Sequence, residues 1–246
     1  MAARIGMSVA AAALAIVWLV ALGAGSALPS PWSFIVLLLV LCTFWALHCH
    51  RDWPNGWHRF RLRGAAARWW IWALVMGLML TGWRLAIALH TPWPDESPNP
   101  NLLWTTLAAV LAAPIIEEFG FRLWLQGQLE RWLPGLLAIV LAAATFAAVH
   151  DLERWYLHGV SGMLYGLALW RSGSIWVPVA MHGLANAAIA TLQWRGDASE
   201  QLQIWSQQQP PWLAEATIGL TALLLAGALW TFRQAPSPNA AENSRE

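Results

Sequence analysis

The sequence is poor in charged residues. Asp, Glu, Lys and Arg together make up 11% of its 246 positions, whereas soluble domains carry roughly 25%. All fourteen basic residues are arginine and the formal net charge is only +1, so the chain lacks the basic surface that attracts polyanions. This composition excludes a disordered chain, a nucleic-acid binder and an ordinary cytosolic enzyme.

Cysteine is scarce as well. The two cysteines, Cys42 and Cys49, fall in one apolar run, where seven helical residues separate their Cα atoms by about 10 Å. That distance is too long for a disulfide within one helix. Cysteine usage therefore does not identify a redox compartment.

Apolar residues are abundant, at 58% of the chain. They form eight runs of a length that can cross a bilayer as a helix. The predicted spans are Ile5–Gly23, Trp32–Cys49, Ala65–Leu89, Leu102–Leu129, Leu133–His150, Trp155–Trp170, Ile175–Gln193 and Leu213–Phe232. The sequence therefore predicts an all-α fold, a polytopic membrane helix bundle of about eight transmembrane helices.

The charges in the loops predict how this bundle is oriented. The loop between the second and third spans is rich in arginine: Arg51, Arg59, Arg61, Arg63 and Arg68. The next loop is acidic, with Asp95 and Glu96 and no basic residue. By the positive-inside rule, both termini and the Arg-rich loop face the cytoplasm. We expect a multi-pass protein of the cell (plasma or inner) membrane.

Three clusters of polar residues interrupt the apolar spans. In chain order they are Glu117-Glu118-Phe-Gly-Phe-Arg122, Phe146-Ala-Ala-Val-His150 and His182-Gly-Leu-Ala-Asn186. Ionisable residues within spans are expensive to bury, so each is a functional hypothesis by default. Glu118 and Arg122 have the i,i+4 spacing of a helical ion pair.

The remaining polar groups are expected to share one hydrated cavity, because burying each of them separately would cost several kcal/mol. Such a cavity would hold the carboxylate of Glu117, the imidazoles of His150 and His182, and the amide of Asn186. This set can activate a water molecule and stabilise an oxyanion. Hydrolysis of a peptide bond within the membrane is the reaction it favours.

Together and in this order, the three motifs resemble those of the CPBP family. These are the CAAX proteases and bacteriocin-processing proteins, also called Abi or Rce1-like glutamic intramembrane proteases. The segment Ser-Gly-Ser-Ile-Trp-Val-Pro-Val-Ala-Met that precedes His182 is similar to the family's third motif context. The resemblance covers about Leu102 to Gln193.

The resemblance implies a four-helix protease core and a role for each matching residue. Glu117 and His150 would activate the attacking water, and His182 and Asn186 would stabilise the oxyanion. Glu118 and Arg122 would be mainly structural and hold the Glu117 helix, and Phe146 is a further supporting residue of the second motif. No cofactor is implied. A divalent metal stays open as an alternative, although the chain contains no His-Glu-x-x-His motif.

The resemblance also divides the chain. Residues 1–100 are predicted to be N-terminal transmembrane helices of unknown role, and 101–195 the protease core. A loop and the last span occupy 196–233, and 234–246 form a disordered tail of Pro, Ser, Asn and charge. The expected partners are the lipid bilayer and a membrane-associated protein or peptide substrate, but no nucleic acid.

Three other functions are open from sequence alone. Gly159-Val-Ser161-Gly162 resembles the nucleophile motif of rhomboid serine proteases, with His182 as the base. However, Gly159, Gly162 and Gly166 also lie on one helix face, as small residues do where helices pack closely. A non-catalytic membrane scaffold, or a transporter using the buried carboxylate for proton coupling, completes the alternatives.

Overall fold

A computed structural model describes residues 62, 64–90, 102–150 and 155–194, together with 201, 204–205, 207–210, 212–213, 215–219, 222 and 226. Within these ranges all regular structure is helical and there is no strand. The predicted spans Ile5–Gly23 and Trp32–Cys49, the arginines at 51–63, the acidic loop and the tail from 234 lie outside the described residues. The described positions of the last predicted span, 213, 215–219, 222 and 226, are helical.

Five long helices occupy the described ranges between 64 and 194. They are α1 (Ala67–His90), α2 (Leu102–Leu129), α3 (Gly135–Ala148), α4 (Trp155–Ser172) and α5 (Trp176–Trp194). Helix α2 changes its hydrogen-bonding register twice. Its α-helical turns Leu102–Leu107, Ala113–Glu117 and Gly127–Leu129 are separated by π-helical segments at Ala108–Ala112 and Glu118–Gln126.

These helices agree with the spans predicted between positions 65 and 193, with shifts of one or two residues at most ends. Helix α3 starts at Gly135 because Pro134 precedes it in an extended conformation, with a ψ of 138°. Helix α4 continues to Ser172, two residues beyond its predicted end. It ends there because Gly173 adopts a φ of 64°, the left-handed conformation that commonly terminates a helix.

Two described helices are long and apolar enough to cross a membrane, at Ala67–Ile87 and Leu102–Leu129. Helix α1 is apolar on both faces. Met76 and Leu80 are buried, whereas Ile71 and Leu78 are 64% and 54% exposed. A helix that is hydrophobic all round is typical of a membrane span, where the outward face meets lipid instead of water.

The chain divides into two compact units, and the first contains Ile115–Gly166. Here α3 packs against the π-helical segment Glu118–Gln126. A Cβ atom at Gly162 would lie 3.1 Å from Cα of Ala143, and one at Gly166 would lie 2.9 Å from Cγ2 of Ile139. These two glycines therefore let the backbones of α3 and α4 approach closely, as their small-residue spacing predicted.

The second unit contains Gly64–Pro114 and the chain from Leu167 onward. Helix α5 packs against both α1 and the π-helical segment Ala108–Ala112. Close approach again depends on glycine. A Cβ atom at Gly77 would lie 2.9 Å from Cδ2 of Leu184, and one at Gly183 would lie 2.9 Å from the carbonyl oxygen of Val110.

Candidate active site

The first unit holds two neighbouring carboxylates in different surroundings. The register of α2 changes between them, since Glu117 ends an α-helical turn and Glu118 starts the π-helical segment. Glu118 is fully buried, whereas the side chain of Glu117 is 17% exposed. π-helical turns are rare and occur frequently at functional sites, and this one begins at Glu118, directly after Glu117.

Glu117 lies beside His150. The distance from Oε2 of Glu117 to Nε2 of His150 is 3.6 Å, and the His150 side chain is 24% exposed. The other ring nitrogen, Nδ1, lies 2.6 Å from the carbonyl oxygen of Phe146. A carbonyl only accepts hydrogen bonds, so Nδ1 carries a proton and Nε2 is the nitrogen that faces the carboxylate. The pair can therefore take up one proton from a third molecule.

Glu118 pairs with Arg122, as their spacing predicted. Their closest atoms, Oε2 and Nε, are 3.2 Å apart and both side chains are fully buried. Among the described residues, neither terminal nitrogen of Arg122 finds a hydrogen-bond acceptor. Aromatic rings surround the guanidinium instead: its Cζ lies 4.2 Å from the centroid of Phe146 and 5.3 Å from that of Tyr165. Cation–π attraction thus accompanies the ion pair.

The ring of Phe146 connects the two carboxylate sites. One contact is to Arg122, and a second is to the His150 ring, whose centroid lies 4.3 Å away. Phe121 holds the ring edge-on at 5.0 Å. The Phe146 ring therefore contacts both the cation of the buried pair and the imidazole of the partly exposed pair.

His158 is a site residue that sequence reasoning missed, because it resembles an ordinary interfacial histidine. Its ring stacks on His150 with a centroid distance of 4.4 Å and an interplanar angle of 23°. It also contacts Phe146 edge-on at 6.0 Å. The available signal was its position in the first turn of the helix that follows the His150 motif. The rings of Phe146, His150 and His158 thus form one cluster in which each contacts the other two.

Ser161 has a structural hydrogen bond. Its side chain is buried, and Oγ donates to the carbonyl oxygen of Leu157 one turn earlier, at 2.6 Å. A serine nucleophile needs its hydroxyl beside a base, whereas the hydroxyl of Ser161 bonds to the backbone of its own helix. Since Gly162 and Gly166 serve helix packing, the Gly-x-Ser-Gly motif has a structural explanation.

The second unit holds the third motif on α5. His182 is 4% exposed and lies one turn before Asn186. The amide nitrogen of Asn186 donates to the carbonyl oxygen of Ala109 at 2.8 Å. Its amide oxygen accepts from Nη1 of Arg84 at 3.4 Å. Arg84 of α1 thus has a polar partner in the third motif.

A metal ion has no obvious position in the described part of the chain. There, no group of three or more His, Cys, Asp or Glu side chains is arranged to hold one. The Glu117–His150 pair alone offers two of the four ligands that a structural zinc requires, or of the three that a catalytic zinc requires. Hydrolysis without a metal stays a prediction.

Comparison with known proteins supports the resemblance read from the motifs. Residues 99–188 match the family model described as type II CAAX prenyl endopeptidase Rce1-like. A 107-residue stretch is 27% identical to "Putative membrane peptidase YdiL" of Bacillus subtilis (strain 168). That match covers 40% of this chain and 44% of the relative, so less than half of the relative's length is spanned. No solved structure matches the chain.

Proposed function

We propose that this membrane protein, whose residues 99–188 are Rce1-like, is an intramembrane endopeptidase that hydrolyses its substrate with water activated by Glu117 and His150. The observation that carries the proposal is the 3.6 Å approach of the Glu117 carboxylate to Nε2 of His150. Both side chains are partly exposed, as they must be if a water molecule is to reach them. The family match supplies the reaction class.

In the proposed mechanism a water molecule donates hydrogen bonds to Oε2 of Glu117 and Nε2 of His150. The pair takes one proton from this water as its oxygen attacks the carbonyl carbon of the scissile peptide bond. The resulting tetrahedral intermediate collapses when the same proton is delivered to the leaving amine. A carboxylate and an imidazole suit both steps, because each can accept a proton in one step and return it in the next.

His182 and Asn186 are proposed to stabilise the oxyanion of that intermediate. This assignment rests on their positions in the third motif, and it is supported by two features of α5. His182 is buried, and Asn186 has a fixed amide with a second N–H beyond the one donated to Ala109. Donors held in place before the reaction are the main means of oxyanion stabilisation.

Supporting roles are proposed for Glu118, Arg122 and Phe146. The buried Glu118–Arg122 pair anchors the π-helical segment that follows Glu117, and Phe146 supports the His150 ring. The substrate is proposed to be a membrane-associated protein or peptide, cleaved near the membrane surface. We also propose that the chain forms a multi-pass bundle with both termini in the cytoplasm.

The test maps protein termini in cells. A strain lacking the chromosomal copy is complemented with wild type, Glu117→Gln or Ser161→Ala, and the termini of membrane and secreted proteins are mapped by mass spectrometry. Termini that appear with wild type and Ser161→Ala but vanish with Glu117→Gln are expected. General acid–base residues contribute about 10²–10⁴-fold to rate, so the loss should be nearly complete.

Glu130→Gln is the matched control. Glu130 lies just beyond α2 and accepts a hydrogen bond from Gln126 at 2.9 Å, which glutamine can also accept. This variant should retain the termini. Loss with Ser161→Ala alone would mean a serine enzyme, and identical termini with and without wild type would favour a scaffold or a transporter.

A further inference from the structure

A residue outside the family-matched segment, Arg84, contacts Asn186 of the third motif. Arg84 belongs to α1, before the match at 99–188 begins. Its Nη1 donates to the amide oxygen of Asn186 at 3.4 Å, across 102 residues of sequence. An arginine inside a membrane span is costly unless it has a partner, and it marks a functional hypothesis.

The nitrogen of the Asn186 side-chain amide is held by a backbone carbonyl, that of Ala109. Ala109 lies in a π-helical segment where Ala113 N–H bonds to the carbonyl of Ala108, five residues earlier. The next donor would be Pro114, which has no N–H. The carbonyl of Ala109 therefore receives no bond from position 114, and Asn186 Nδ2 donates to it at 2.8 Å.

Close helix packing keeps Arg84 within reach of Asn186. Helix α1 packs along α5, and Gly77 of α1 approaches Leu184 so closely that a Cβ atom there would collide with its side chain. Trp83, next to Arg84, is buried. The Arg84–Asn186 contact is thus set by the packing of two helices and not by a flexible loop.

We propose that Arg84 is a positioning residue that orients and polarises the amide of Asn186 for oxyanion stabilisation. This inference rests on the proposed function. With the amide oxygen bonded to Arg84 and one N–H bonded to Ala109, the amide cannot flip, and its second N–H points in one direction. The positive charge on the oxygen side strengthens donation by that N–H, because hydrogen bonds in a chain polarise one another.

The proposal also gives helix α1, in the N-terminal region, a role in the reaction. Helix α1 would supply the cation that completes the oxyanion site, although it lies outside the Rce1-like segment. The segment 99–188 alone would contain Asn186 without the group that orients it.

The experiment has a spectroscopic and a catalytic part, both on the full chain. The protein is labelled with ¹⁵N-asparagine in lipid nanodiscs, and the side-chain amide signal of Asn186 is assigned from its absence in Asn186→Ala. In Arg84→Met the Asn186 amide protons should shift and exchange with water at least about tenfold faster, since a lost contact exposes them. Arg68→Met is the matched control on the same helix, because the Arg68 guanidinium lies over Trp69.

The catalytic part follows the rate at which Glu117-dependent termini appear after induction. Arg84→Met should slow their appearance by about tenfold, less than the roughly 10²–10³-fold expected for removing an oxyanion donor in Asn186→Ala. Arg84→Lys should recover part of the rate, because it restores a charged donor. The double variant should be no slower than Asn186→Ala, since both changes act on one group.

The outcomes separate the two proposals. A wild-type rate and an unchanged amide signal in Arg84→Met would overturn the positioning role and leave the protease assignment intact. If Arg84→Met does not accumulate, Arg84→Gln is measured instead, and wild-type behaviour there would equally contradict a role for the charge. Absence of Glu117-dependent termini in wild type would overturn the proposed function, and with it any catalytic task for Arg84.

Discussion

Glu117 and Glu118 are chemically identical neighbours with different surroundings. Glu118 is fully buried against a guanidinium at 3.2 Å, inside a shell of aromatic rings. Glu117 is partly exposed and faces an imidazole at 3.6 Å. Arginine holds its proton at every relevant pH, whereas histidine exchanges one near neutrality. The partner and the exposure, rather than the residue type, therefore distinguish the carboxylate with a proposed structural role from the one proposed to activate water.

The largest effect on stability is expected from removing the buried charge of Glu118. Glu118→Gln leaves the Arg122 guanidinium buried without its counter-ion, and breaking a buried pair costs about 3–5 kcal/mol. We expect a large fall in the free energy of unfolding, measured by denaturant unfolding of the purified chain in detergent. Glu117→Gln is the control, expected to abolish cleavage with little loss of stability. A fully stable Glu118→Gln variant would mean that the aromatic rings alone hold Arg122.

A smaller effect is expected at His158. The ring stacks on His150 at 4.4 Å, so His158→Ala should loosen His150 and reduce the rate of Glu117-dependent cleavage by about tenfold, since small misplacements of reacting groups are costly. His158→Phe keeps a flat ring and should retain most of the rate. Tyr156→Ala, two residues earlier on α4, is the matched control. Equal losses in the alanine and phenylalanine variants at 158 would contradict a stacking role.

The smallest effect is expected at Ser161. Its hydroxyl donates a hydrogen bond to the carbonyl oxygen of Leu157 in the same helix. That carbonyl is also an acceptor for the backbone hydrogen bonds of the helix. Ser161→Ala should leave the cleavage rate within about twofold and lower the free energy of unfolding by no more than about 1 kcal/mol, the net contribution of a typical intramolecular hydrogen bond. The measurements are the rate at which the termini appear and the denaturant midpoint. A strong loss of cleavage would return the serine-protease hypothesis to consideration.

Local sequence patterns were sufficient for some of these features. The α2 bounds, Leu102–Leu129, were predicted because apolar length is itself the requirement for a span. The Glu118–Arg122 pair followed from i,i+4 spacing, and the packing role of Gly162 and Gly166 followed from their small size. Each of these features depends on neighbours within one helix or on side-chain volume alone.

Other features were not accessible to such reasoning. His158 had no recognisable motif, and its stacking on His150 depends on how two consecutive helices meet. The two π-helical segments depend on hydrogen bonds that shift by one residue, a difference that apolar periodicity does not resolve. The contact of Arg84 with Asn186 crosses 102 residues.

The sequence by itself determined that this is a helical membrane protein with Rce1-like motifs, because composition, span length and motif order are properties of the chain alone. Only the tertiary structure decided that Asn186 meets Arg84 and Ala109, that aromatic rings enclose the Glu118–Arg122 pair, and that His158 stacks on His150. The physical reason is that buried polar groups must find partners, and the choice among possible partners depends on how helices pack.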